Sequence, residues 1–192
     1  MSNQKLRPGQ LIYAYSNGYF PMAHEEAGGD IYWHRPEKRG IIPLDAFHIS
    51  KNLKRLYRNT DLIFKINTAF REVVQACSDR ETTWINDEII DAYCELSELG
   101  YALSFEVWNE DRLVGGLYGV SIDAAFFGES MFSRETNTSK LALIFLVNYL
   151  LENNYRLLDT QYLNDHLKQF GAIEISDKKY MKMLESALAK SL

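Results

Sequence analysis

A mixed α+β chain is predicted by three features of the sequence. From Tyr101 to Val120 the pattern has a period of two, giving strands Tyr101–Trp108 and Arg112–Val120 around the turn Asn109-Glu110-Asp111. Capping residues Ser50, Asn67, Asn86 and Ser176 each precede a stretch of helical period. Leu141–Leu151, apolar at every position except Asn148, reads as a buried helix.

The first helix is expected over Gln10–Gly18, stopped by Gly18, with Tyr19–Met22 extended behind it because Pro21 disfavours a helical residue before it. Ala27–Asp30 is a predicted turn. Ile31–His34 and Gly40–Leu44 are short strands on either side of polar Arg35–Arg39. Asp61–Ile66 is a strand, and Asn67 caps a helix to about Cys77 with Phe70, Val73, Val74 and Cys77 inward. Asn86 caps the next, with Asp87 and Glu88 where the helix dipole favours acids, Ile89, Ile90, Tyr93 and Leu96 inward, and Gly100 as its end. Gly115, Gly116 and Gly119 within a strand predict a bulge or a close backbone approach. Ala124–Gly128 is a third strand, ending in a turn that opens the buried helix. Arg156–Gln161 is a strand, Tyr162–Phe170 a helix, Gly171–Ile175 extended, and Ser176–Leu188 a helix with Tyr180, Met183 and Leu184 inward. The weak break around Asp61–Thr83 suggests a small domain over 1–62 and a larger one over 63–192.

Composition narrows the classes. At 46% hydrophobic and 13% aromatic residues, the chain has ample material for a core. The start lacks the apolar segment of a signal peptide, and the longest apolar run falls well short of the ~20 residues that span a bilayer. Cys77, Cys94 and four histidines show no ligand spacing, so neither a metal nor another cofactor is implied, and a reducing cytoplasm is expected. Residues 1–60 hold nine Lys and Arg against five Asp and Glu, whereas the remainder hold twelve against twenty-one. A basic front suggests an anionic partner. Lys51, Lys54, Arg55 and Arg58 share one helical face, with no acid between Lys51 and Thr60. With Arg35, Lys38 and Arg39 close in sequence, that face is expected to contact phosphate backbone, the alternative being an ordinary solvated surface.

The chemistry centres on Gly128-Glu129-Ser130-Met131-Phe132-Ser133. A carboxylate between Phe126-Phe127 and Met131-Phe132 is costly unless a cation meets it. It marks either the floor of a substrate site or a structural acid paired with an internal Arg or Lys. Asp159 and Gln161 lie two apart on one strand, hence on one face, at the end where ligand sites gather in α/β proteins; Asp159 alternatively caps the following helix.

Several motifs together carry a resemblance. Ala14–Pro21, Trp84-Ile85, Glu106–Trp108, Leu113–Gly119, Phe127–Ser133, Asn137–Lys140, Leu158–Gln161 and Asn164-Asp165-His166 resemble the leucyl/phenylalanyl-tRNA–protein transferases, from about Gln10 to the last helix. The resemblance implies a large C-terminal domain of the acetyltransferase-like (GNAT) fold beside a small N-terminal α/β domain. It implies transfer of Leu or Phe, in some members Met, from aminoacyl-tRNA to proteins that begin with Arg or Lys, marking them for the N-degron pathway. It places peptide-bond formation on Asp159 and Gln161, and reception of the acceptor's basic end on Glu129. The pocket for the transferred side chain falls to Met131 and Ser133, beside Ser130, with Leu143 and Leu146 on the next helix. Asn164 helps to hold the acceptor, and Trp84 meets the terminal adenosine. Met22 stands where the family usually has a Trp implicated in stacking on the terminal adenine; thioether replaces π-face there. The family's Gly-Gly-Asp-Leu leader element has no counterpart. Two other functions compete: an N-acetyltransferase using acetyl-CoA, although Arg134–Lys140 lacks the glycines of a pyrophosphate turn, and a non-catalytic tRNA-binding protein using the Lys51–Arg58 face alone.

Overall fold

The computed structural model describes residues 6–23, 30–80 and 83–189; most of the turn expected at Ala27–Asp30 lies outside them. The strands are β1 (Phe20–Ala23), β2 (Ile31–His34), β3 (Lys38–Ile41), β4 (Ile63–Ile66), β5 (Ala102–Asn109), β6 (Arg112–Ile122), β7 (Ala125–Ser133), β8 (Leu157–Gln161) and β9 (Ile173–Ser176). The helices are α1 (Pro8–Ser16), α2 (Lys51–Asn59), α3 (Phe70–Ser78), α4 (Asp87–Glu98), α5 (Thr138–Glu152), α6 (Asp165–Lys168) and α7 (Asp177–Leu188).

β1 and β2 make an antiparallel ribbon, and the other seven strands form one sheet in the order β4-β5-β6-β7-β8-β3-β9. Every pairing in that sheet is antiparallel except β7 with β8, which are parallel and joined through α5. The chain is therefore α+β. An antiparallel run ending in a parallel pair bridged by a buried helix is the acetyltransferase-like layout that the resemblance implied. Buried residues of α1, α3, α4 and α7 form one core, and those of α2, α5 and α6 the other. β3 and α2, both N-terminal to residue 62, are built into this larger body: β3 lies between β8 and β9, and α2 packs on α5.

Local chemistry explains most element starts. Ser50, Asn86, Asn164 and Ser176 accept a backbone N–H three residues on, at α2, α4, α6 and α7. Pro8 opens α1, two residues ahead of the expected start, where its missing N–H costs nothing. Asn67 does not cap α3. Its backbone is left-handed, with φ 55°, and its Oδ1 accepts from Ser104 N at 2.7 Å. Buried Glu106 on β5 caps α3 instead, accepting from Ala69 N at 2.8 Å and from the Thr68 hydroxyl. Tyr162–Phe170 contracts to four-residue α6. Gly128–Ser133 is the second half of β7, not a turn.

The β6 glycines mark close approaches. A Cβ on Gly119 would sit 2.3 Å from the Phe127 carbonyl oxygen and 2.6 Å from the Phe126 ring. Gly119→Ala is expected to destabilise by about 1–3 kcal/mol, lowering Tm by several degrees in a thermal melt; an unchanged Tm would show that the strands can separate freely.

Candidate active site

Opposite Gly119, β7 contains a bulge. Ser130 pairs with Tyr118 and Gly128 with Gly119, so Glu129 is the extra residue. A bulge re-aims a side chain. Here Glu129 meets two tyrosines and a carboxamide. Tyr15 of α1 donates to Glu129 Oε1 at 2.6 Å, Gln161 Nε2 donates to the same oxygen at 2.8 Å, and Tyr93 of α4 donates to Oε2 at 3.3 Å. The two tyrosine hydroxyls also face each other, and with one proton apiece they cannot fill all three contacts at once, so one of the three goes without a tyrosine proton at any moment. Among the described residues no cation pairs with Glu129. Burial raises its pKa to about 7 against these hydrogen bonds, with nearby Asp159 adding to the rise.

Asp159 has the internal arginine that Glu129 lacks. Arg39 Nε and Nη2 meet its oxygens at 2.9 and 2.7 Å, and Tyr180 donates at 2.6 Å. Both partners of the ion pair are at most 1% exposed. Arg39 also donates from Nη1 to Gly18 O at 2.9 Å, with its guanidinium between the rings of Phe20 and Tyr180. Burial opposes the Arg39 charge and Asp159 outweighs it, so its pKa is raised. The remaining capacity of Asp159 goes to the Gln161 backbone N–H, at 2.7 Å. That bond supports Gln161 in a left-handed conformation, φ 62°, which costs a side chain about 1–2 kcal/mol. Asp159 is thus no helix cap. It holds the Gln161 backbone, and the Gln161 amide touches Glu129. Because Nε2 is committed to a carboxylate, Oε1 remains as the acceptor end of the amide.

Glu129 forms part of the wall of a cavity of about 740 Å³. Leu117, Met131, Leu143, Leu146 and Leu158 make its apolar side. Trp84, Ser130, Ser133, Asn164, Tyr118, Thr160 and His166 also line it, and the buried Tyr118 Oη, Thr160 Oγ1 and His166 Nε2 have no protein hydrogen-bond partner among the described residues. Ser130 accepts from Arg80 at 3.0 Å. Ser133 donates to Glu135 O at 2.7 Å, which fixes the corner into α5. Met22 sits apart from the cavity lining, on β1 opposite Tyr32, packed against the core. Lys51, Lys54, Arg55 and Arg58 are exposed on α2, also outside the lining. Arg39 and Arg35, expected near that basic face, are instead committed to Asp159 and Asp177.

Sequence reasoning misses Tyr15, Tyr93, Tyr180 and Arg39 as site residues. The three tyrosines read as core stripe, and only their hydroxyls set them apart from Phe. Arg39 opens the apolar run Gly40–Leu44, which is a weak sign that it is buried.

A carboxamide bonded to an unpaired carboxylate at the wall of an apolar recess suits acyl-group transfer. The model of the leucyl/phenylalanyl-tRNA protein transferase family matches residues 41–185, and that of the family's N-terminal domain matches residues 4–37. The leucyl/phenylalanyl-tRNA–protein transferase of Paramagnetospirillum magneticum is 51% identical over 94% of this chain and 88% of that protein. The one from Ruegeria sp. is 50% identical over 93% and 85%. The chain belongs to the leucyl/phenylalanyl-tRNA–protein transferase family and is an aminoacyltransferase. The acetyl-CoA reading is not favoured; α5 starts from Asn137 with no glycine before it. Among solved structures, L-PGS from Bacillus licheniformis aligns over 95% of this chain and 71% of that one, at 12% identity and TM-score 0.49, too remote to carry an argument.

Proposed function

We propose that the cavity receives the aminoacyl end of Leu- or Phe-tRNA, with Met-tRNA as a further donor, and joins it to proteins that begin with Arg or Lys. The carrying observation is Glu129: a carboxylate with no cation of its own, bonded to Gln161 and open to an apolar recess. The Leu117, Met131, Leu143, Leu146 and Leu158 side takes the transferred side chain. Ile and Val should fit there poorly, because branching at Cβ stiffens χ1. Trp84 and Met22 lie on the side of the terminal adenosine, and Asn164 on the side of the acceptor.

An aminoacyl ester is already activated, so positioning supplies most of the rate. Gln161 Oε1 accepts a hydrogen bond from the attacking α-amine and aligns it on the ester carbonyl. Asp159 acts one step back, holding the Gln161 backbone. Lys51, Lys54, Arg55 and Arg58 contact the tRNA phosphates. The product belongs to the N-degron route in the cytoplasm; among the described residues no helix is long and apolar enough to cross a membrane.

The test is transfer of labelled Leu from charged tRNA to an Arg-starting peptide. Labelled peptide supports the proposal, and tRNA binding without transfer refutes it. For the basic face, replacing all four cations with Gln should weaken tRNA binding and flatten its dependence on log salt by about 0.7–0.9 for each phosphate no longer neutralised. An unchanged slope would remove α2 from the tRNA interface.

A further inference from the structure

We propose that Glu129 is the proton acceptor for the acceptor's α-ammonium group, a role that neither Asp159 nor Gln161 can fill. The inference rests on the transfer reaction above and goes beyond the docking role given to Glu129.

The amine must lose a proton before its nitrogen can attack. In the overall step one N–C bond forms, the ester C–O bond to the ribose breaks, and one proton of the attacking neutral amine ends on the leaving ribose oxygen. The proton that made the amine an ammonium must go elsewhere. Gln161 is an amide and has no useful basicity. Asp159 is fully buried, and its oxygens are occupied by Arg39, Tyr180 and the Gln161 N–H. Neither Asp159 nor Gln161 is among the residues that line the cavity, but the Gln161 amide bonds Glu129, which does line it. Asp79 does line it, but is exposed beyond the end of α3. Glu129 Oε1 lies 2.8 Å from Gln161 Nε2, so an amine bound to the other end of that amide sits one side chain from the carboxylate.

The surroundings suit a base that works near neutral pH. Tyr15 from α1 and Tyr93 from α4 contact Glu129, and Tyr118 from β6 lies near it without a hydrogen-bond partner among the described residues; burial raises the pKa of all three, so they stay neutral. Cys77 of α3 is pushed up to about 12 and stays a thiol. Arg80 spends Nη2 on Ser130 and the Met131 carbonyl. Asp159, from β8, is neutralised by Arg39. With its own pKa raised to about 7, the Glu129 carboxylate holds a proton more firmly than an ordinary surface acid does. It then returns that proton to solvent through the cavity.

The measurement is the pH profile, from 6 to 9, of acceptor kcat/KM for the wild type, Glu129→Gln and Glu129→Asp. In the wild type the rate should rise through about 7 and then level. In Glu129→Gln the acidic limb should move up to the acceptor amine's own pKa, about 7.7–8.0. The shift of the limb alone should cost that variant about 4- to 8-fold at pH 6.5, with the deficit narrowing toward pH 9. Glu129→Asp should keep the wild-type limb at a lower rate, which controls for folding. A deficit in Glu129→Gln that is equal at every pH, or a limb that stays near 7, would leave Glu129 as a docking group only and overturn the inference. Absence of transfer by the wild type at every pH would overturn both the inference and the reaction it rests on.

Discussion

Arg39→Ala should cost about 3–5 kcal/mol of stability, because it strands the Asp159 carboxylate in a site with no exposure. The loss extends beyond one ion pair. Arg39 also holds Gly18 O at the end of α1 and fills the space between the Phe20 and Tyr180 rings. These contacts tie α1, β1, β3, β8 and α7 together. At about 2–4 °C per kcal/mol for a chain of this size, Tm should fall by about 10 °C. Arg39→Met restores the bulk but not the charge and should fall nearly as far. Adding Asp159→Asn to it removes the stranded anion and should recover part of the stability without recovering transfer, since the Gln161 backbone loses its charged acceptor. Thermal melts and transfer rates on the same four proteins check this. A single Arg39→Ala loss below about 1 kcal/mol, the range of surface pairs, would show that the pair is solvated.

Gln161→Ala should lower transfer by about 10²-fold, the scale associated with misplacing a reacting group by about 1 Å. The backbone bond from residue 161 to Asp159 survives the change, so Tm should move little. Alanine at φ 62° carries a strain similar to that of glutamine, which keeps the comparison clean. The informative control is Gln161→Glu. It sets a second carboxylate against Glu129, where two like charges at hydrogen-bond distance cannot both ionise, and transfer should fail there too. A Gln161→Ala protein that transfers at the unmutated rate would end the alignment role.

Elements set by local chemistry are readable in the sequence. The period-two stretch forms β5 and β6, and Ser50, Asn86 and Ser176 cap the helices expected of them. Asn67 misleads because the residue that caps α3 is Glu106, from the neighbouring strand, and no spacing rule links the two. Gly128–Ser133 resembles a turn because Glu129, Ser130 and Ser133 are polar. In the structure the bulge opposite Gly119 lets an acid sit within a strand. The choice between a substrate acid and a structural acid also needs three dimensions. Arg39 lies 120 residues from Asp159, and only the β3–β8 pairing reveals which carboxylate it neutralises. Tyr15 and Tyr93 meet Glu129 across 114 and 36 residues, so their hydroxyls carry no local signal.

The most direct measurement is competition between two peptides, one starting with Arg and one with Ala, for labelled Leu from charged tRNA. The unpaired Glu129 carboxylate predicts that the wild type favours Arg by about 10- to 10²-fold, the worth of one hydrogen bond to a charged group, and that Glu129→Gln brings the ratio close to one. A Glu129→Gln enzyme that still transfers and still prefers Arg by the wild-type ratio would contradict the account.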